Sequence, residues 1–478
     1  MTVIIVFTLF LAGFAFVGIS SSKKKKKNTQ DYLLAGQDVK PWLVALSAVA
    51  TNNSGYMFIG MIGYTYTVGL SSIWIMIGWI LGDFIASLFI YKNVRTISGD
   101  NNLLSFGSLL AHRKNGLLPM VRFLAGLLSM VFLCTYAAAQ FYAGGKALLV
   151  TLDWPETVGI VLGAVLVVAY CFSGGIRASI WTDAAQSIVM IISMSALMWV
   201  AVDSIGGFEA TVNSLQKVGG SYMGLMPEFG NELQGWAPLL FVVGWIFAGF
   251  GVVGQPHIMV RYMTLNSPKK MNEVRAYYYT WFTAFYAMAI MVGLVSRVII
   301  IPPADGFDPE LALPTLSMQL LPDFMVGVML AGIFAATIST ADSLVISCTA
   351  AVTNDLFPKL KNNYKLSKAV TMGVTVLSIG IALLALTAGE SVFQIVIYSW
   401  AILGSAFGPL LSLQMLNKAP GQTVSVLMIF TGAIVALSWN LTGMGEYTYE
   451  MFPGMISGLL VYVISLFFVS NSKVKKQE

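Results

Sequence analysis

Long, uninterrupted apolar runs, such as Ile73–Gly82 and Val158–Val168, constrain this chain more than any other feature. Lipid offers no partner to backbone amides and carbonyls, so only helical bundles and closed barrels can cross it. Barrel strands alternate apolar and polar residues. These runs do not alternate, so the sequence predicts an all-α polytopic membrane protein. The composition agrees, with 57% of 478 residues hydrophobic and 10% charged. A soluble domain carries roughly 25% charged residues. A water-soluble enzyme, a collagen, a disulfide scaffold and a disordered chain are excluded.

A helix needs about 20 apolar residues to cross a bilayer. Thirteen segments qualify, over 2–20, 41–67, 70–93, 118–150, 156–174, 178–204, 236–264, 272–300, 323–353, 368–388, 391–416, 422–441 and 450–470. The first has its positive cluster, Lys23–Lys27, after the apolar run, the reverse of a secretory signal. It reads as an anchor with the N-terminus outside. That orientation places 24 of the 27 Lys and Arg residues in cytoplasmic loops, leaving only Lys146, Lys217 and Arg297 outside. Basic residues concentrate on the cytoplasmic side of membrane proteins, so the net charge of +5 is a topology signal and not a nucleic-acid signal. The expected location is the plasma (inner) membrane, with the C-terminus cytoplasmic. No soluble domain and no obligatory protein partner is expected, and no Walker motif is present to use ATP.

Three cysteines, Cys134, Cys171 and Cys348, lie in apolar runs and read as buried thiols. Two distant histidines, His112 and His257, form no metal motif. The informative residues are those the bilayer penalises. In the second segment four polar residues, Thr51 to Ser54, precede Gly55. In the seventh, Gly249, Gly251, Gly254 and Pro256 fall close together. One Gly or Pro reads as a kink or a close helix contact. Two strong breaks five segments apart read as corresponding positions of two inverted units, the pattern of a secondary transporter whose solute and ion bind at broken helices.

The ninth segment carries hydroxyls at Ser339, Thr340 and Ser343, with Ala336, Ser339, Thr340 and Ser343 on one helical face. Beside a freed carbonyl, these would make a neutral oxygen cage suited to a hard monovalent cation. The alternative is that the hydroxyls bond back to their own preceding turn.

Taken together, Asp31–Gly36, Ala45–Ala48, Ser54–Gly55, Ile180–Asp183, Gly254–His257 with Arg261, and Ser339–Thr340 resemble the sodium/solute symporter family, most closely its sodium/proline branch. The resemblance implies a LeuT-type five-plus-five inverted repeat. Residues 1–40 would precede it, 41–205 and 206–416 would be the two repeats, and 417–478 would add two terminal helices. It implies Na⁺ as the coupling ion, bound at Ala50, Asn53 and Ala336 through backbone oxygens and at Ser339 and Thr340 through hydroxyls. Asp183 resembles a family acid used by some members for a second Na⁺, here with Ser339 and Ser343; helix capping is its alternative role. Asp342 would pair with Arg261 or another cation, or line the ion pathway. Asp83 reads as structural.

The same resemblance places solute near Asn52, Ser54, Gly55, Tyr136, Gln140, Gln255 and Pro256. Asn52 stands where proline carriers hold an acid. Val252 and Ala248 stand where they hold aromatics, so Phe247 and Phe250 are expected to supply that wall from shifted positions. Proline is the first expectation for the solute; a betaine-like zwitterion or a carboxylate such as acetate or pantothenate is the alternative. A channel, a membrane enzyme and a sensor are disfavoured, lacking respectively a pore-lining ring, clustered catalytic groups and an output domain.

Overall fold

The structure is a computed structural model that describes residues 1–21, 28–229, 235–300, 306–361 and 363–474. Lys23–Lys27, Lys475 and Lys476 lie outside the described residues. The chain is almost wholly helical. Eleven helices among the described residues are long and apolar enough to cross a membrane, and Glu156–Phe172 is a shorter apolar helix. The helices used below are α1 (Thr2–Ser21), α2 (Pro41–Gly55), α3 (Ile62–Val68), α4 (Ile73–Ala86), α5 (Pro119–Leu152), α6 (Glu156–Gly174), α7 (Ile176–Ser204), α8 (Ala237–Phe250), α9 (Pro256–Met263), α10 (Met271–Ile299), α11 (Asp323–Ala350), α12 (Tyr364–Ala388), α13 (Val392–Met415), α14 (Gln422–Leu441) and α15 (Met451–Val474). A two-residue antiparallel pair, His112–Arg113 with Gly116–Leu117, joins the region before α5.

The expected second and third segments form one helical stretch, Pro41–Asp100. It turns at Gly69, whose φ of 76° and ψ of −144° suit a residue without a Cβ. The Leu70 amide there donates to the Tyr222 carbonyl at 2.8 Å. The third segment also runs past its expected end at 93, because α4 continues through a π turn at Ser87–Tyr91 into the helix Lys92–Asp100.

Lipid is as apolar as the side chains it surrounds, so close packing and internal hydrogen bonds hold such a bundle together. Every residue of α11 from Val326 to Ala350 is buried. α2, α5 and α7 pack around it, and α1 lies across α11 and α7. Small residues allow the contacts. A Cβ on Gly327 would meet Val6 at 2.8 Å. The tightest crossing joins α4 to α8. A Cβ on Gly82 would land on the Ile246 carbonyl, and one on Gly249 on the Trp79 carbonyl.

All three cysteines are buried and free, and the Cys134 and Cys348 sulfurs lie 3.6 Å apart between α5 and α11.

Both ends of the bundle are tied by polar contacts. At one end Arg177 donates to Asp31 and to the Ala35 carbonyl, each at 2.6 Å. There, too, Val39 donates to Thr264 at 3.1 Å and Asn266 to Val39 at 2.9 Å, joining the start of α2 to the end of α9. At the other end Lys146 reaches Glu310 at 2.6 Å and Asp308 at 2.8 Å. Glu310 also accepts the Ser391 hydroxyl and the Phe393 amide at 2.8 Å, and the Val392 amide at 3.1 Å. It therefore satisfies the exposed amides of the first turn of α13 with a negative charge.

Gly82→Leu is expected to lower stability by about 1–3 kcal/mol through overpacking, read as a lower melting temperature of the purified carrier; an unchanged value would remove the α4–α8 seam from this account. Glu310→Ala strands three donors and should cost about 1–3 kcal/mol, with Gln costing less.

Candidate sodium and solute site

Ser54 sits inside the α2 helix yet has φ 43° and ψ 179°, a left-handed region that costs a non-glycine residue of order 1–3 kcal/mol. These torsions turn the next amide off the helical ladder. The Gly55 N–H, which would bond the Thr51 carbonyl in a continuous helix, donates instead to Gln140 Oε1 at 2.7 Å. The Thr51 carbonyl is then taken by the Thr340 hydroxyl of α11 at 3.0 Å. The Ser339 and Thr340 hydroxyls each lie 3.4 Å from the Ala50 carbonyl. Ser339 also bonds back to Ala336 at 3.0 Å, so the local back-bond and the interhelical cage occur together.

Five neutral oxygens from two helices thus converge: the carbonyls of Ala50, Thr51 and Ala336, and the hydroxyls of Ser339 and Thr340. A cation with oxygens at about 2.3–2.6 Å holds right-angle neighbours about 3.3–3.7 Å apart. The two spacings to the Ala50 carbonyl, 3.4 Å each, fall in that range, while the Thr340–Thr51 and Ser339–Ala336 pairs, at 3.0 Å, are hydrogen bonds that an ion would replace. Of the five residues expected here, Ala50, Ala336, Ser339 and Thr340 come together. The Asn53 carbonyl is engaged by the Tyr56 amide, and its buried side-chain amide has no partner. The Thr51 carbonyl was not expected; a backbone role leaves no trace in residue type.

The second break is equally local. α8 ends in a 3₁₀ turn, Gly251–Gly254, and Gln255 is extended with φ −97° and ψ 104°. Pro256 then opens α9, where its missing N–H costs nothing. The Gln255 amide donates to the Trp400 carbonyl at 2.9 Å, leaving its Oε1 unpartnered.

Beside the oxygen cage lies a buried charged cluster. Arg261 Nη2 donates to Ser179 at 2.6 Å and to Ser343. It lies 3.4 Å from Asp183 and 3.6 Å from Asp342. Ser47 donates to Asp183 at 2.5 Å, and Ser179 to Asp342 at 2.7 Å. The expected pairing of Asp342 with Arg261 is present, and Asp183 shares the same guanidinium. Ser343 bonds the Ser339 carbonyl at 2.6 Å and lies 3.0 Å from the Thr51 hydroxyl, so the cluster and the cage share a wall.

The expected solute residues divide. The Tyr136 hydroxyl lies 3.4 Å from Ser54 Oγ, and its ring meets His257 edge-on at 5.4 Å. Gln140 Nε2 and both His257 nitrogens are buried without partners. Asn52 points elsewhere. It donates to the Tyr278 hydroxyl at 2.7 Å, which donates to Asp83 at 2.8 Å, while Tyr91 also donates to Asp83. Phe247 packs on Phe452 of α15 at 4.9 Å, and Phe250 is half-buried. The aromatic groups around the breaks are Tyr56, Trp79 and Trp400, with Trp79 4.8 Å from Trp400 and 5.7 Å from Tyr56. The sequence marked none of these three.

The profile of the "Sodium:solute symporter family" matches residues 32–421. The "High-affinity proline transporter PutP" of Bacillus subtilis (strain 168) is 28% identical over 455 residues, covering 94% of this chain and 93% of its own. The "Sodium/proline symporter" of Escherichia coli (strain K12) is 26% identical over 472 residues, covering 96% and 92%. A solved structure of a Na⁺-coupled sialic acid symporter in an outward-open state superposes with a TM-score of 0.80 at 19% identity, covering 97% of each chain. A nucleobase-cation-symport-1 family transporter in a closed conformation superposes at 0.60 and 14% identity, over 92% of this chain and 95% of its own. The fold is shared with these two carriers, and the chain, matched along most of its length, belongs to the sodium:solute symporter family and is a sodium-coupled membrane transporter, not an enzyme.

Proposed function

We propose that this protein takes up a small zwitterionic solute, proline first, with Na⁺ held at Ala50, Thr51, Ala336, Ser339 and Thr340. The diverted Gly55 amide carries this reading, because it frees carbonyl oxygen at the point where α11 presents two hydroxyls. The proline transporters among its relatives support the solute. So do the unpartnered amide and imidazole atoms of Gln140, Gln255 and His257, which can meet a carboxylate or an ammonium. In this reading Pro41–Asp100 and Glu156–Gly174 complete thirteen crossings. The cores 41–205 and 206–416 form the inverted repeat, and the N-terminus and the Lys146 end face outward.

Na⁺ binding would join α2 to α11 and so shape the solute cavity. Each ligand then favours the same state, and the coupling is reciprocal. An inside-negative potential of about 100 mV contributes about 2.3 kcal/mol per inward charge. Asp183, Asp342 and Ser343 would line the inner exit for the ion. Arg261, touching all three residues or their hydroxyl partners, would act there as a tethered cation that closes the exit when the site is filled.

Ser339→Ala with Thr340→Ala removes two ligands at about 1–1.5 kcal/mol each. The sodium concentration giving half-maximal uptake in proteoliposomes should rise roughly 30-fold or more; unaltered sodium dependence in a folded double variant would sink the site assignment. A thermal-shift screen with and without NaCl should find proline stabilising only when sodium is present. Stabilisation by a betaine, acetate or pantothenate instead would replace proline and keep the symport reading.

A further inference from the structure

Asp83 is wholly buried on α4, and the ion pairs among the described residues, those of Lys146, Arg177 and Arg261, do not include it. A buried carboxylate without a cation must be met by donors. Two phenols meet this one. Tyr91 donates to its Oδ1, and Tyr278 of α10 donates to its Oδ2 at 2.8 Å. Tyr91 belongs to the π turn Ser87–Tyr91, and Arg275 of α10 holds the same turn through the Ser87 carbonyl at 2.5 Å. The Tyr262 ring of α9 lies 4.2 Å from that of Tyr91. The carboxylate is therefore held among α4, α9 and α10 at once.

The hydrogen bonds run in one direction. An ionised carboxylate only accepts, so the Tyr278 hydroxyl spends its single proton on Asp83 and must accept from a third group. That group is the Asn52 side-chain amide, at 2.7 Å. A donor is thus required at position 52, which an asparagine supplies and an ionised aspartate does not. Asn52 follows Thr51, whose carbonyl meets the Thr340 hydroxyl, and lies two residues before the strained Ser54. The other end of the chain is mounted on main chain. Gly82, next to Asp83, abuts the Ile246 carbonyl, and Gly249 abuts the Trp79 carbonyl just before the second break at Gly251–Gly254. Glycine seam, carboxylate, phenol and amide therefore form one series from the second break to the first.

We propose that Asp83 is a positioning residue for the sodium site: through Tyr278 it holds Asn52, and with it the Thr51 carbonyl, in register with the hydroxyls of α11. Asp83 touches neither ion nor solute; it acts through the two side chains between it and the break. The part played by sodium in this inference rests on the site proposed above.

Tyr278→Phe, Asp83→Asn and Asn52→Asp cut the series in the purified full-length carrier with little change of volume. The NaCl concentration giving half-maximal thermal stabilisation, with KCl making up a constant total, should rise about fivefold in each, the effect of one lost hydrogen bond. In the Asp83→Asn/Tyr278→Phe double variant it should rise no further than in the more affected single one, because links in series fail together. A merely structural role would lower the melting temperature in KCl and leave the half-maximal NaCl concentration at its wild-type value. Hydrogen exchange over residues 51–58, followed by mass spectrometry in KCl, should quicken in Tyr278→Phe while that over 336–343 keeps its wild-type rate. An unchanged sodium requirement in Tyr278→Phe or in Asn52→Asp, or single effects that multiply in the double variant, would overturn the proposal. If NaCl stabilises not even the wild type, the sodium site itself fails, and the exchange over 51–58 decides for Asp83: faster in Tyr278→Phe, it upholds the series as the holder of the break; unchanged, it removes it.

Discussion

One backbone amide organises the centre of this molecule. A continuous α2 would close its ladder with the Gly55 N–H on the Thr51 carbonyl, which would then be spent inside the helix. The Ser54 torsions send that amide to Gln140 of α5, and the released carbonyl turns to Thr340 of α11. Three helices are therefore locked by one displaced hydrogen bond. The cost of the strained serine is repaid by interactions that exist only in this arrangement. Backbone irregularity at membrane depth is tolerated only where protein or a cavity covers it, and α11, buried from Val326 to Ala350, provides that cover.

Around this point the polar groups sort into two chemistries. Neutral oxygens gather where α2 meets α11, while formal charge is held one helical turn further along, on Asp183, Asp342 and Arg261. Ser343 touches both sets. An ion moving from the cage toward that cluster would pass from neutral dipoles to carboxylates already shared with a guanidinium. Beyond the cage Tyr56 lies against both Trp79 and Phe393, and Glu310 ties the same turn of α13 that carries Phe393.

Much of the architecture could be read from residue types because the bilayer makes exceptions expensive. Polar residues from Thr51 to Ser54, and glycines before Pro256, stand out in apolar runs, and the two breaks fall there. Ser339 and Thr340 were legible for the same reason. What was hidden depended on backbone or on distant partners. The Thr51 carbonyl has no signature in sequence. The Asn52–Tyr278–Asp83 chain joins three helices far apart in sequence, so residue type alone assigns Asn52 to the solute, while Asp83, read as structural, anchors that chain. Phe247 was placed by counting from a proline, but the 3₁₀ turn Gly251–Gly254 departs from the helical period and the ring meets α15 instead. Hydropathy separates 41–67 from 70–93, but it does not reveal that the chain stays helical through the turn at Gly69 between them.

The glycine seam between α4 and α8 has a mechanical consequence. Side chains that interdigitate can yield by hopping between rotamers, but here main chain rests on main chain, with Gly82 against Ile246 and Gly249 against Trp79. Such a junction has no soft coordinate. The two helices are therefore expected to move together, so that a tilt starting at the Gly251–Gly254 joint would carry the segment bearing Trp79 and Asp83 with it.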